Sequence, residues 1–225
     1  MRSTILFDLD DTLIDRKESI RNYTDRFVKD FASELGSNNP ASLVGIVIDC
    51  DQGGYRSRAE VSDRLAHALP WRNPPPAETL LAHWMEHFPS DSAIRTHALD
   101  VLQVIRKHGL TIGMVTNGST IGQNRKIDYL GIRSFFSSIV ISESAGIKKP
   151  AAAIFKLALK ELKKQPHDCW FVGDSPRNDI LGSADLGLTP IWLRGPHPWP
   201  EAHPQPKYQI DGLDEIPAIL ERDSS

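Results

Sequence analysis

The chain has 225 residues, 40% of them hydrophobic, which is enough for one α/β core with an inserted subdomain. Its formal net charge of −3 and its lack of a basic block argue against a nucleic-acid partner. Two cysteines outside any CxxC motif, Cys50 and Cys169, favour a reducing, cytoplasmic compartment, and the short apolar runs predict no signal peptide and no membrane partner.

The first predicted element is a short strand at residues 5–7 that leads directly into an acidic turn. Asp8, Asp10 and Asp11 place three carboxylates within four residues, and like charges this close either raise one pKa or attract a cation. In open α/β sheets, ligands lie beyond the carboxyl ends of the strands. The turn is therefore either a candidate metal site or, as the plainer alternative, a solvated acidic turn.

The pattern of residues 16–93 is helical. From Ile20 to Leu35, apolar and aromatic residues recur at spacings of three and four, which is typical of an amphipathic helix. Further helices are predicted at residues 42–49, 59–69 and 77–88. No strand pattern is evident here, so we expect an all-helical insertion. His83 and His87 lie four apart on the last helix, and without an evident third ligand they are interpreted as a polar helix face.

After the insertion, strand patterns alternate with helical patterns, which is typical of a parallel sheet covered by helices. The predicted strands span residues 111–115, 138–141, 169–172 and 190–193. The predicted helices span residues 97–107, 122–130, 151–164 and 213–220. The proline-rich residues 195–206 are predicted to form a rigid surface loop.

Polar side chains follow three of these strands. Thr116 and Asn117 come after the first, Lys149 lies in the loop after the second, and Asp174 and Asp179 flank the turn after the third. Because the carboxyl ends of parallel strands meet at one edge of a sheet, we expect these groups to lie near the acidic turn. Carboxylates, a hydroxyl and an ammonium together suit a magnesium ion and a phosphoryl group.

Four ordered motifs resemble those of the haloacid dehalogenase-like (HAD) hydrolases, and four at strand ends are far more specific than one DxD. The motifs are Asp8-Leu9-Asp10-Asp11-Thr12, Thr116-Asn117-Gly118, Lys149-Pro150, and Gly173-Asp174 through Asn178-Asp179. The resemblance implies a doubly wound, parallel-sheet, Rossmann-like α/β core made of residues 1–15 and 94–225. It also implies that residues 16–93 form an all-helical C1-type cap over the active site.

The resemblance further implies Mg²⁺-dependent phosphomonoester hydrolysis. Asp8 is implied to attack phosphorus and form a phospho-aspartyl intermediate, while Asp10 protonates the leaving oxygen and then activates water. The implied metal ligands are Asp8, Asp10 and Asp174, and the implied phosphate-binding residues are Thr116, Asn117 and Lys149. Lys149 is also implied to be catalytic, and Asp179 is implied to support Lys149 or a metal-bound water.

The substrate that this resemblance suggests is a small phosphorylated metabolite, such as a nucleotide or a sugar phosphate. Tyr55, Arg56 and Arg58 in the insertion are the candidates for substrate selection. A phosphosugar mutase carries the same motifs and stays an alternative. The protein is expected to act as a monomer or a homodimer.

Residues 50–57 give a separate alternative, because they fit C-x5-R-S, the phosphate loop of cysteine-dependent phosphatases. In that interpretation Cys50 is the nucleophile and Arg56 binds the phosphate. Asp49, however, stands where those enzymes usually carry histidine, and the segment lies inside a predicted helical insertion. The simpler expectation is that Cys50 packs as a small apolar side chain.

Overall fold

The computed structural model describes residues 2–37, 39–195 and 197–223. The chain forms two compact units, and we call Met1–Ile14 with Ile94–Ser225 the core unit and Asp15–Ala93 the helical unit. That the helical unit acts as a cap stays a prediction. Across the described residues, every helix is too short or too polar to cross a lipid bilayer.

The secondary structure alternates between strand and helix outside the insertion. The strands are β1 (Thr4–Phe7), β2 (Ile14–Asp15), β3 (Ala93–Ile94), β4 (Thr111–Thr116), β5 (Ser138–Ile141), β6 (Cys169–Gly173), β7 (Thr189–Leu193) and β8 (Tyr208–Ile210). The helices are α1 (Arg16–Asp30), α2 (Pro40–Asp51), α3 (Arg58–Ala68), α4 (Ala77–His87), α5 (Ala98–Lys107), α6 (Thr120–Tyr129), α7 (Ser142–Ala145), α8 (Ala152–Leu162), α9 (Gly182–Ala184) and α10 (Ile216–Asp223).

The core unit is built on a parallel sheet, to which the described residues contribute six strands in the order β5-β4-β1-β6-β7-β8. β1 lies in its interior, since Thr4 pairs with Thr111 of β4 on one side and with Cys169 of β6 on the other. The strand order therefore reverses between β1 and β6. Such a reversal is the switch point at which doubly wound folds bind their ligands.

Alternating side chains of β1 divide between two apolar layers. Ile5 and Phe7 belong to the cluster that includes the buried face of α5, and Leu6 belongs to the cluster that includes the buried face of α8. This period of two is the pleat of a β-strand, and burial of both faces is characteristic of a parallel sheet covered by helices. The doubly wound α/β class predicted from the sequence is confirmed.

Several elements differ from the sequence-based expectation. β8 was not predicted, because it is three residues long and directly follows the proline-rich stretch, of which Pro196 lies outside the described residues. β2 and β3, at the two ends of the insertion, pair with each other where no strand was expected. α1 ends at Asp30 although the apolar period continues, since Leu35 instead forms an isolated β-bridge with Trp71.

The helical unit has its own apolar core. Aromatic rings of α1 and α4 dominate it, with the Tyr23 and Trp84 rings 4.6 Å apart between centroids. Local sequence sets the helix starts: Asn39 caps α2 ahead of Pro40, and Ser57 caps α3. A buried ion pair fastens the unit, because the Arg16 guanidinium donates two hydrogen bonds of 2.7 Å to the Asp51 carboxylate.

Candidate active site

The turn after β1 begins at Asp8, which continues the sheet, and it contains Asp11 in a tight bend. Asp8 extends the sheet, since its N–H donates to the carbonyl of Val172 at 2.9 Å. The chain then closes tightly, because the Leu9 carbonyl accepts from the N–H groups of Thr12, Leu13 and Ile14. Asp11 takes a left-handed φ of 58°, which aspartate tolerates better than most residues.

Lys149 connects the strand ends electrostatically. Its ammonium Nζ lies 2.6 Å from Asp8 Oδ1 and 2.7 Å from Asp179 Oδ1, and its side chain is only 2% exposed. Burial alone would lower the pKa of Lys149, but the Asp179 and Asp8 carboxylates outweigh it and hold that pKa above its ordinary value. The lysine therefore carries a permanent positive charge between two carboxylates.

Asn117 braces the loop that carries Lys149. Its Oδ1 accepts from the Lys149 N–H at 2.8 Å, and its Nδ2 donates to the Lys149 carbonyl at 3.1 Å. The sequence interpretation placed Asn117 among the phosphate-binding residues, and this stays a prediction; in the structure its side-chain amide is bonded to the Lys149 backbone. We therefore describe Asn117 as a positioning residue for Lys149.

The end of β6 supplies the other two carboxylates. Asp174 is buried, and Thr12 Oγ1 donates to its Oδ1 at 3.4 Å. Asp179 lies in a π-helical turn spanning Pro176–Leu181, where its Oδ2 accepts from the Ser175 N–H at 3.0 Å. Gly173 makes this approach possible, because a Cβ at that position would overlap the Asp179 side chain.

Three buried carboxylates, those of Asp8, Asp174 and Asp179, converge so that their ligand atoms lie within 4.8 Å of one another. Burial, reinforced by the Asp179 charge and only partly offset by Lys149, raises the pKa of Asp8 to about 7. Burial and the Asp179 and Asp8 charges raise the pKa of Asp174 to about 9. The single Lys149 ammonium does not neutralise all three carboxylates. Carboxylate oxygens with surplus negative charge are suitable ligands for a hard divalent cation such as Mg²⁺.

Asp10 has separate partners, which the sequence interpretation missed. Lys126 Nζ lies 2.7 Å from Asp10 Oδ1 and 3.0 Å from Oδ2. Gln123 Nε2 donates to Asp10 Oδ2 at 2.9 Å and to Thr116 Oγ1 at 2.7 Å. The spacing of Gln123 and Lys126, three residues apart on one face of α6, was the available signal.

The structure thus brings Asp8, Lys149, Asp174 and Asp179 into one cluster. In the described part of the chain, the Asp10 carboxylate is not among the three that converge within 4.8 Å. Its contacts with Lys126 and Gln123 set it beside Thr116 instead. The sequence interpretation gave Asp10 two roles, proton transfer and ligation of the metal. This arrangement suits Asp10 to proton transfer better than to ligation through its carboxylate.

The predicted selectivity residues belong to the helical unit. Arg56 Nη1 donates hydrogen bonds to the Asp49 and Cys50 carbonyls, at 2.6 and 3.0 Å. These bonds satisfy two backbone carbonyls in the last turn of α2. Arg56 also lines a cavity of about 730 Å³ within this unit. Arg58 contacts the buried Asp51 carboxylate at 2.9 Å, and Tyr55 is 60% exposed.

Cys50 does not have the surroundings of a phosphatase nucleophile. It lies on α2, is buried, and has its thiol pKa raised by that burial. Nucleophilic cysteines have a lowered pKa, which makes the thiolate available near neutral pH. Arg56 is bonded to helix carbonyls, so the arrangement argues against the cysteine-dependent alternative.

Comparison with known proteins gives consistent matches. The family model of the haloacid dehalogenase-like hydrolases matches residues 3–187. A glyceraldehyde 3-phosphate phosphatase of Methanocaldococcus jannaschii is 28% identical over 222 residues, covering 96% of each chain. The pyrimidine 5'-nucleotidase YjjG of Escherichia coli is 32% identical over 124 residues, covering 55% of each.

Solved structures share the fold. The magnesium-bound HAD-hydrolase YfnB from Bacillus subtilis superposes with a TM-score of 0.78 at 24% identity, covering 97% of this chain and 98% of that one. A 2-haloacid dehalogenase from Pseudomonas syringae superposes with a TM-score of 0.67 at 28% identity, covering 99% of each chain. Similar folds therefore support more than one hydrolytic reaction, and the choice between them depends on the site.

Proposed function

The chain belongs to the haloacid dehalogenase-like hydrolases, and from this premise we propose that it is a Mg²⁺-dependent phosphatase of a small phosphorylated metabolite. The observation that carries the proposal is the buried Lys149 ammonium held between Asp8 and Asp179, with Asp174 beside them. A site with surplus carboxylates suits a cation, and its lysine suits a phosphoryl oxygen. The phosphatase names of two relatives favour phosphate esters as substrates.

In the proposed reaction, Asp8 is the nucleophile. A carboxylate oxygen attacks phosphorus, the bond to the leaving oxygen breaks, and a phospho-aspartyl intermediate forms on Asp8. Lys149 steadies the phosphoryl oxygens and favours the ionised form of Asp8, whose pKa burial raises. The Asp8 and Asp174 carboxylates would hold a Mg²⁺ ion, with Asp179 as a third oxygen donor or as support through water, and the ion would supply positive charge for the approach of a phosphate dianion.

Asp10 transfers the protons. It donates one to the leaving oxygen, and it then removes one from the water that attacks phosphorus and releases Asp8 as a free carboxylate. Lys126 and Gln123 fix the position of Asp10 for both steps. Thr116 Oγ1 accepts a hydrogen bond from Gln123, and its own contact with the Asn117 carbonyl is long, at 3.5 Å. The Thr116 hydroxyl can therefore donate a hydrogen bond to a phosphoryl oxygen instead.

We propose a nucleotide or sugar phosphate as the substrate. The supporting observation is that relatives acting on a triose phosphate and on pyrimidine nucleotides both align with this chain. Tyr55, Arg56 and Arg58 stay the candidates for selecting between these classes. Arg56 is the first of these to test, because it lines the cavity of the helical unit.

The test is release of inorganic phosphate from a panel of sugar phosphates and nucleoside monophosphates. We expect hydrolysis with Mg²⁺, none in excess EDTA, and none for Asp8→Asn. Cys50→Ser is the matched control and should keep most of the activity. Undiminished hydrolysis in EDTA, or an inactive folded Cys50→Ser beside an active Asp8→Asn, would overturn the proposal. Isomerisation of a sugar phosphate without phosphate release would identify a mutase.

A further inference from the structure

The helical unit brings together three metal-ligating side chains that no motif connects. Asp30 at the end of α1 and His83 and His87 on α4 place one ligand atom each within 4.8 Å of one another. The sequence showed the histidine pair but no third ligand. Asp30 precedes His83 by 53 residues, and the packing of α1 against α4 supplies the contact.

The spacing of these groups matches a coordination sphere. His83 Nε2 lies 3.0 Å from Asp30 Oδ2, and the His83 and His87 rings are 4.5 Å apart between centroids. Ligand atoms bonded tetrahedrally to zinc at about 2.0–2.1 Å lie about 3.3 Å from each other. Histidines four residues apart on one helix face are a common zinc-binding pair.

His83 has a partner at each ring nitrogen. Its Nε2 lies 3.0 Å from the Asp30 carboxylate, which accepts the Nε2 proton, and the Tyr23 hydroxyl lies 3.0 Å from Nδ1. When a cation replaces the Nε2 proton, Nδ1–H can donate to the Tyr23 hydroxyl, and this hydrogen bond orients the ring for ligation. The rings of Phe27 and Phe31 pack at 5.5 and 5.0 Å between centroids and fix its orientation.

Access to the three groups is open on one side. The Asp30 side chain is 45% exposed, whereas that of His83 is 10% exposed. An ion can therefore reach the ligands from solvent, while the inner histidine is held by the aromatic core. Two imidazoles and one carboxylate favour zinc over magnesium, which prefers oxygen ligands.

We propose that Asp30, His83 and His87 bind a Zn²⁺ ion in the helical unit. The site supplies three protein ligands and leaves a fourth position for water, and the bound ion joins the end of α1 to α4. The metal would stabilise the folded unit, because the ligands are assembled only when α1 and α4 are packed.

The test compares zinc binding by untagged protein and variants in millimolar Mg²⁺, measured by calorimetry and by competition with a chromophoric chelator. Wild type should bind one more Zn²⁺ equivalent than His87→Ala or Asp30→Asn. His67→Ala is the matched control, because His67 lies in the same unit, 3.8 Å from the Asp63 carboxylate, but in no three-ligand group among the described residues. It should bind zinc as wild type does.

The Tyr23→Phe variant tests whether His83 coordinates a metal ion or only forms an ion pair with Asp30. Removing the Tyr23 hydroxyl should weaken zinc binding about 10–100-fold, the usual effect of losing a group that orients a ligating histidine. Co²⁺ should give a visible absorption band in wild type that is lost in His87→Ala. Equal zinc stoichiometry and affinity in wild type, His87→Ala and Asp30→Asn, with circular dichroism showing folded protein, would refute the site.

Discussion

At Lys149, one ammonium faces the Asp8 and Asp179 carboxylates at 2.6 and 2.7 Å in a buried setting. Neither contact is to a neighbour in sequence, so the arrangement depends on the whole sheet edge. Loss of one partner of a buried charge pair leaves the other uncompensated and is strongly destabilising. The same residue therefore serves the folded state and the proposed chemistry.

The two aspartates of the first motif should be separable by their intermediates. Asp8→Asn removes the attacking oxygen, so no covalent adduct can form. Asp10→Asn keeps the nucleophile but removes the base that hydrolyses the intermediate, so a phosphate adduct should accumulate from an activated aryl phosphate. Rapid quench and intact-mass analysis measure this. An adduct of equal yield in both variants would mean that Asp8 is not the nucleophile.

Lys126 offers a test of how Asp10 is positioned. Lys126→Met removes the ion pair at 2.7 Å, and because proton transfer then suffers, kcat should fall most for alkyl phosphates with basic leaving groups. Acid-base catalysis contributes about 10²–10⁴-fold, which bounds the loss. p-Nitrophenyl phosphate, whose leaving group needs little protonation, should lose less at the phosphorylation step.

The control for this substitution is Lys126→Arg, which keeps the charge and should recover much of the lost rate on alkyl phosphates. Steady-state kinetics across leaving groups of increasing basicity is the measurement. A uniform loss of kcat over the series would indicate that Lys126 supports the fold of α6 and not proton transfer by Asp10.

At the scale of elements, the end of β6 depends on a glycine. A Cβ at Gly173 would overlap the Asp179 side chain, so Gly173→Ala should displace Asp179 from Lys149. We expect a loss of stability of about 1–3 kcal/mol, as for other overpacked sites, together with reduced activity. Denaturant unfolding and phosphate release measure the two effects.

Gly45→Ala is the matched comparison within a helix. Gly45 lies on α2, and a Cβ there meets nothing within 4 Å. Since alanine favours the helix over glycine, this change should stabilise the protein by about 0.5–1 kcal/mol. If both substitutions shift stability by the same amount and sign, the steric explanation for Gly173 is incorrect.

Elements with a strong local pattern could be predicted from the sequence. β1 is an apolar run that opens into acids, and β4, β5 and β6 are apolar runs that are followed by polar or glycine-bearing turns. β7 is a further strong apolar run. β8 has only three residues after a proline-rich stretch, too few for periodicity to register. The π-helical turn after β6 accompanies a hydrogen bond from the Ser175 N–H to the Asp179 carboxylate, and the sequence pattern did not predict it.

The candidate site follows the same division. The motif residues could be predicted because their order, and their positions directly after predicted strands, are evident from the sequence alone. The partners of Asp10 could not, because Lys126 lies 116 residues away and reaches it only through the pairing of β1 with β4. Asn117 bonds to backbone 32 residues further along, which likewise becomes evident only in three dimensions.

For the whole molecule, the carboxylate cluster predicts a pH-dependent stability. The pKa of Asp8 is raised to about 7 and that of Asp174 to about 9, so the folded state binds protons that the unfolded state releases near pH 4. The free energy of unfolding in EDTA should therefore fall as pH rises from about 4 towards 9. A bound divalent cation should restore stability, and most strongly at the alkaline end.

Asp174→Asn supplies the control for this effect. The variant lacks one of the crowded charges, so in EDTA its melting temperature should exceed that of wild type by a margin that widens between pH 5 and pH 8.5. Mg²⁺ should stabilise it less than wild type. Thermal melts over this pH range, with and without Mg²⁺, measure both differences, and a margin that shrinks as pH rises would contradict the charge-crowding argument.

The central place of β1 in the sheet has a consequence for synthesis on the ribosome. The strand is made before both of its neighbours in the sheet, which begin only at residues 111 and 169. At about 5–20 residues per second, the second neighbour emerges about 8–33 seconds after the first strand. Both edges of this four-residue apolar strand are unpaired until β4 emerges, and one edge stays unpaired until β6 follows. Residues 15–93, in contrast, hold their own contacts and can collapse early. Growing chains in which β6 has not yet emerged should thus be the form that chaperones bind.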